Sequence, residues 1–217
     1  MHHFIHENIK QIRQHAGKSN LVVVSKYRSI QELEKVYETN QRDFAENRVQ
    51  ELLKKKEMMP SDIRWHMIGH LQTNKVKLIA PFIHLIQSVD SLKLLREINK
   101  QGKIYNRVIP ILFQIHIAQE EDKYGLSEEE LRKLIQSTEI ESLKNITVKG
   151  LMGMATNTHI ESHIEAEFLK LSDLYNEYKD QLHWEILSMG MSGDFHIAIK
   201  CGSNLIRVGS KIFNSPL

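Results

Sequence analysis

The chain has 217 residues, 41% of them hydrophobic, and its 29 lysines and arginines exceed its 27 aspartates and glutamates by two. That length supports one sizeable core and sits near the lower bound for an eight-unit α/β barrel, while the near-balanced charge excludes a sequence-wide field that would recruit nucleic acid or an anionic membrane. No run of about 18 apolar residues is present to span a bilayer, Met1-His2-His3-Phe4-Ile5-His6-Glu7 lacks the apolar stretch of a signal peptide, and Cys201, the single cysteine, excludes an internal disulfide.

Ile5, Ile9 and Ile12 share one face of a predicted helix that ends before Gly17. Leu21-Val22-Val23-Val24 reads as a strand buried on both faces, which is how a parallel sheet reads. It stops at Lys26, and Ser29-Ile30-Gln31-Glu32 then has the spacing of a capping box that opens a helix. Asp43-Phe44-Ala45-Glu46-Asn47 is a second strand, and Val49, Leu52 and Leu53 follow at helical spacing. Within that helix Lys54-Lys55-Lys56 reads as a solvated face. Trp65-His66-Met67-Ile68 is the third strand and His84 to Val89 the fourth, followed by a helix through Leu92, Leu95 and Ile98. Arg107 to Ile117 contains the fifth. Ser127-Glu128-Glu129-Glu130 opens another capping-box helix, and Ile146 to Met152 is the sixth strand. Ile164, Phe168, Leu171, Tyr175 and Tyr178 mark an amphipathic helix. Trp184-Glu185-Ile186-Leu187 and Asn204 to Val208 supply strands seven and eight.

Eight strands that alternate with helices specify a parallel sheet, and eight such units close into a (β/α)8 barrel, a TIM barrel, with an additional N-terminal helix. An open doubly wound sheet is the alternative. With no linker or low-complexity break, one domain over residues 1–217 is expected, in a soluble protein of the cytoplasm with Cys201 as an inert buried thiol.

In such a barrel the residues that follow each strand converge on one face: Lys26, Asn47, Gly69 with His70, Ser88, the region of His116, Met154, Ser188 and Ser210. The stretch Ser188-Met189-Gly190-Met191-Ser192-Gly193-Asp194 places small residues and hydroxyls ahead of a helix, where backbone N–H groups bind anions. Gly209-Ser210 repeats the device after strand eight, and the loops after strands seven and eight are where barrels bind phosphate. Arg207, inside the last strand, must be paired or must bind something, because an isolated buried charge is expensive. A strand-one lysine, a phosphate cradle and a strand-eight arginine together describe a site for pyridoxal 5'-phosphate (PLP): aldehyde on the lysine, phosphate in the cradle, pyridine nitrogen facing the arginine. A guanidinium stays protonated and donates to a neutral ring nitrogen, which weakens the ring as an electron sink.

The sequence resembles the pyridoxal phosphate homeostasis proteins, an alanine-racemase-like family also called proline-synthetase co-transcribed, from about Leu21 to Phe213. The resemblance is carried by Val23 to Lys26, Phe44 to Glu51, Trp65 to Lys75, Gly150 to Met154, Leu187 to Ser192 and Arg207 to Phe213. By position it implies Lys26 as the Schiff-base lysine, Arg207 as the pyridine-nitrogen partner, Ser188, Gly190, Gly209 and Ser210 as phosphate holders, and Asn47 against the ring. It implies PLP as cofactor, an alanine racemase N-terminal domain type of barrel, and an intracellular role in buffering or delivering PLP, with PLP-dependent apoenzymes as candidate recipients. The sequence departs from the family where Ala45 replaces the usual glycine, His70 a proline, Gly193 an acidic residue and Ser210 a threonine.

Other signals weigh less. His159 and His163 share one helix face but lack a third metal ligand. Trp65 reads as core, and His66 either as a satisfied core residue or as a group that orients Arg207. The methionines at 152, 154, 189 and 191 read as adaptable packing around a pocket.

Two functions compete. A PLP carrier needs only the site described. A PLP-dependent amino-acid racemase needs a second acid/base on the opposite face of the substrate, which alanine racemases draw from a second domain that these residues do not supply; the carrier is favoured, as a monomer. A cofactor-free Schiff-base aldolase leaves Arg207 unexplained.

Overall fold

The eight apolar stretches form eight parallel strands whose hydrogen bonding closes on itself, β8 returning to pair with β1. They are β1 (Asn20–Val24), β2 (Asp43–Glu46), β3 (Arg64–Met67), β4 (Leu85–Val89), β5 (Ile109–Ile115), β6 (Ile146–Gly153), β7 (Ile186–Ser188) and β8 (Leu205–Val208). These elements come from a computed structural model that describes residues 3–120 and 124–214. The closed barrel is the expected (β/α)8 architecture; both ends of the single domain expected over 1–217 fall outside the described residues.

The helices are α1 (His3–Ala16), α2 (Ile30–Tyr37), α3 (Val49–Met58), α4 (Val76–Ile79), α5 (Leu92–Ile104), α6 (Glu128–Ile135), α7 (Thr138–Ser142), α8 (Glu161–Leu182), α9 (Phe195–Lys200) and α10 (Ser210–Phe213). Both expected capping boxes are present: the Ser29 hydroxyl accepts from the Glu32 N–H and the Glu32 carboxylate accepts from the Ser29 N–H, and Ser127 with Glu130 repeats the exchange. The extra helix α1 has a structural purpose. The helix after β8, α10, is a single turn, too short to cover the β8–β1 seam, and α1 packs there against α10, α9 and β1. Ile5, Ile9 and Ile12 are its buried face, and the Asn8 amide donates to Ile212 O and Asn214 O at 3.0 and 3.2 Å.

Side chains alternate across each strand, so the outward set meets the helices in one large core while the inward set fills the barrel. Val22, Ala45 and Leu205 form one apolar patch of the interior and Leu85, Leu112 and Met152 another. No described helix is long and apolar enough to cross a membrane.

Several boundaries differ from the sequence reading by a residue, β4 starting at Leu85 rather than at His84 among them, and two differ by more. Strand β7 begins at Ile186 rather than at Trp184, because His183 takes a left-handed conformation that ends α8 and the Trp184 N–H bonds back to Lys179 O, which makes Trp184 part of the helix cap. The same shift brings Ser188 inside the strand. Helix α8 starts at Glu161, so His159 lies in the preceding loop and the expected pairing of His159 with His163 on one helix face is not formed.

Candidate functional site

Lys26 follows β1 at the C-terminal mouth of the barrel, on a tight turn closed by the Arg28 N–H on Ser25 O at 3.1 Å. The turn brings Tyr27 to φ 65°, a left-handed conformation that a bulky residue adopts only when its surroundings impose it. A buried ion pair lies beneath the turn. Lys55 Nζ donates to Ser25 O at 2.7 Å and to Glu46 Oε1 at 2.6 Å, and the Ser25 hydroxyl donates to the same carboxylate at 2.6 Å. Lys55 is 3% exposed and Glu46 1%. The reading of Lys54-Lys55-Lys56 as a solvated face is therefore corrected at its middle residue: Lys55 turns inward to neutralise a buried carboxylate at the end of β2. The pair anchors the peptide that carries Lys26, whose own amine has no hydrogen-bond or ion-pair partner among the described residues.

Arg207 is 2% exposed. Its Nη1 donates to the Ser188 hydroxyl at 2.5 Å and its Nη2 to Gly153 O at 2.9 Å. Burial pushes the guanidinium down to about 10, against the opposing pull of Asp194, so it remains a cation at neutral pH. Ser188 in turn donates to Gln87 Oε1 at 2.7 Å, the Gln87 amide nitrogen lies 3.0 Å from His66 Nδ1, and His66 Nε2 lies 3.1 Å from Asp43 Oδ1. With His66 neutral and its proton on Nε2, every donor in this chain points from Arg207 towards Asp43, across β8, β7, β4, β3 and β2. Burial alone would raise the Asp43 carboxyl, but hydrogen bonds from Arg64 and His66 outweigh it and hold the group well below the usual carboxylate range. His66 thus combines its two sequence readings: it is a satisfied interior residue, and it reaches Arg207 through Gln87 and Ser188.

The glycine-serine turns meet as expected from their strands, with one difference of detail. Ser188 points into the barrel and is committed to Arg207 and Gln87, while the hydroxyl that faces the turn after β8 belongs to Ser192, which accepts from the Gly209 N–H at 3.1 Å and the Lys211 N–H at 3.4 Å. It occupies the place an anion's oxygen would take in such a nest. Ser210 is exposed at the start of α10. Gly190 has φ 95°, and a Cβ there would stand 2.6 Å from that of Ala198, so only glycine fits; its carbonyl accepts from the Arg207 N–H at 3.0 Å. Asn47 follows β2, and its Oδ1 is buried with no hydrogen-bond partner among the described residues. An acceptor left so inside a protein is costly unless a ligand donates to it.

Ser88 lies within β4, its hydroxyl donating to Gly69 O at 2.7 Å. His116 Nε2 lies 2.9 Å from the carbonyl of residue 120. His70 stacks on Tyr124 at 4.0 Å and meets Asp90 Oδ2 at 3.0 Å, which makes it part of the rim. Met152 is buried in the barrel interior with half-buried Met154 against it, Met189 is buried in the outer core and Met191 is 37% exposed, so the four do not line one pocket.

The profile described as alanine racemase, N-terminal domain, matches residues 3–215. The pyridoxal phosphate homeostasis protein of Schizosaccharomyces pombe is 38% identical over 212 residues, covering 94% of this chain and 88% of its own length. The chain belongs to this family. The protein of the same name from Helicobacter pylori strain 26695 is 40% identical over 195 residues, with 89% and 86% covered. Among solved structures, PipY of Synechococcus elongatus with PLP bound superposes with a TM-score of 0.88 at 28% identity, covering 97% of this chain and all of that one. Alanine racemase from Bartonella henselae shares the fold with a TM-score of 0.76 at 18% identity, this chain spanning 58% of its length. Family membership leaves Ser192, Gln87 and Lys55 as residues that sequence reasoning did not single out. Gln87 carried the one available signal, a polar residue within an otherwise buried strand.

Proposed function

We propose that this chain binds PLP covalently through Lys26 at the mouth of the barrel and buffers or delivers it within the cell, without turning over substrate. The observation that carries the reading is the buried Arg207 cation, held by neutral acceptors within the barrel on β8, the strand that pairs with β1, after whose end Lys26 stands with no amine partner among the described residues. The family's name and the PLP held by PipY support it.

The residues fit such a cofactor. Among the described residues the Lys26 amine has no competing partner, the buried Asn47 Oδ1 would accept a hydrogen bond from the ring's substituents, and the Gly209 turn would present N–H groups to a phosphate once Ser192 shifts or shares them. Gly190 gives this region its shape, and Ser188 acts by fixing Arg207. When bound, PLP supplies an aldehyde and a ring that accepts electron density. A protonated arginine at the ring nitrogen limits that second property, which suits storage better than carbanion chemistry.

PLP-dependent apoenzymes are the recipients this reading implies, and it describes a single-domain, monomeric protein of the cytoplasm. An absorption scan before and after borohydride reduction, followed by peptide mass mapping, tests the cofactor. The mass increment is expected on Lys26, and Lys26→Ala should abolish both band and increment; a colourless protein that takes up no added PLP ends the reading. Conversion of L-alanine or L-serine to the D form, proportional to protein and lost in Lys26→Ala, would replace the carrier by a racemase.

A further inference from the structure

The end of the barrel opposite Lys26 gathers three side chains, two of which close the hydrogen-bond chain from Arg207, whose capacity to ligate a metal the function above does not use. Asp43 opens β2, His66 lies inside β3, and His84 immediately precedes β4. In-register pairing of Asp43 with Arg64 and of His66 with Leu85 brings the three together at the N-terminal end of the barrel, His66 buried and His84 exposed. One donor atom from each lies within 4.8 Å of the other two. His66 Nε2 and Asp43 Oδ1 are 3.1 Å apart, and the two imidazole rings are centred 5.4 Å from one another.

We propose that Asp43, His66 and His84 bind a divalent transition metal of the zinc type at the N-terminal mouth of the barrel, tying together β2, β3 and the segment that enters β4. Two imidazole nitrogens and one carboxylate oxygen are a ligand set that zinc accepts. Tetrahedral donors about 2.0–2.1 Å from a zinc ion stand about 3.4 Å apart, so His66 and Asp43 already have the required separation. His84 is exposed and closes the set by a change of rotamer.

A metal-bound histidine needs its second nitrogen held, and Gln87 holds it. When the metal takes the Nε2 lone pair the ring proton resides on Nδ1, and rotation of the Gln87 amide puts its oxygen opposite that N–H. Three protein ligands leave one position for water, so the ion exchanges rather than being sealed in.

One group opposes binding. Arg64 Nε lies 2.7 Å from Asp43 Oδ1 and Nη2 2.5 Å from Oδ2, and a metal must share the carboxylate with this cation or displace it. The Arg64 side chain is 49% exposed and free to turn into water, so it sets the affinity without blocking the site. It also provides a signature that a merely adventitious histidine cluster would lack.

The test uses the full chain with its cofactor, stripped of metal by a chelator and titrated with Co2+, read in the visible to the red of the cofactor, and with Zn2+ by calorimetry. Because consecutive histidines at an amino terminus bind these ions unaided, the parent carries His2→Ala and His3→Ala. One equivalent is expected to bind, with affinity reduced about ten-fold or more in His84→Ala and raised severalfold in Arg64→Gln. Zn2+ should raise the melting temperature of the parent and of Arg64→Gln but not of His84→Ala, because a ligand stabilises the state it binds. Absence of binding, or equal affinity in the parent, His84→Ala and Asp43→Asn, would overturn the proposal. Exposed His84 is replaceable without disturbing the core, so the comparison does not depend on a fragile variant.

Discussion

Arg207 is a cation in the interior of a closed sheet, and its two described side-chain bonds go to a serine hydroxyl and a peptide carbonyl rather than to a carboxylate. Neutral acceptors solvate the charge without cancelling it, so the guanidinium keeps the capacity to donate to a neutral heteroaromatic nitrogen. Arg207→Glu reverses this: a carboxylate there accepts from a protonated ring nitrogen and meets two acceptors that have lost their donor. The expected outcome is a changed absorption spectrum of the bound cofactor together with weaker uptake. An unchanged spectrum and affinity would mean that Arg207 does not face the ring. Lys26 and Arg207 were legible because each breaks an apolar strand pattern with a charge. Ser192 and Gln87 were not, because serine in a glycine-rich turn is ordinary capping chemistry, and the Ser188–Gln87 bond joins residues 101 apart in sequence.

At the scale of elements, α3 anchors the lysine turn through Lys55, and three consecutive lysines concealed this. A helix turns each successive residue by about a third of a turn, so the middle one faces inward where its neighbours do not, and the inward direction is defined only by where β1 and β2 lie. Removing one member of a buried ion pair leaves the other uncompensated. Lys55→Met is therefore expected to cost about 3–5 kcal/mol in urea unfolding, with a Glu46→Gln partner substitution recovering part of it. Capping was readable because it is local. The Ser127 backbone N–H, then the Ser127 hydroxyl, hold the Glu130 carboxyl below its ordinary range. A folded-state value lowered in this way contributes stability that is present at neutral pH and disappears as pH falls through the carboxylate range. The difference in unfolding free energy between the native chain and Glu130→Ala should accordingly shrink below about pH 4.

For the whole molecule, closure of the sheet decides both stability and function. The β8–β1 seam is covered by α1 from the opposite end of the chain, so the N-terminal helix supports the strands that carry Lys26 and Arg207. Ile9 is 1% exposed within that contact. Ile9→Ala should cost about 2–5 kcal/mol, measured as a lowered unfolding midpoint, and should weaken cofactor retention in parallel.

The sequence by itself determined the alternation of strands and helices, hence the barrel, and the charged and glycine-rich strand ends from which a PLP site is read. These are properties of hydrophobic period, turn chemistry and chain order, which act over a few residues. Only the tertiary structure decided that Ser188 serves Arg207 from inside the barrel, that Lys55 is buried against Glu46, and that Asp43, His66 and His84 share one end. Each of those depends on the register of strands remote in sequence, and register is set by how the whole sheet closes.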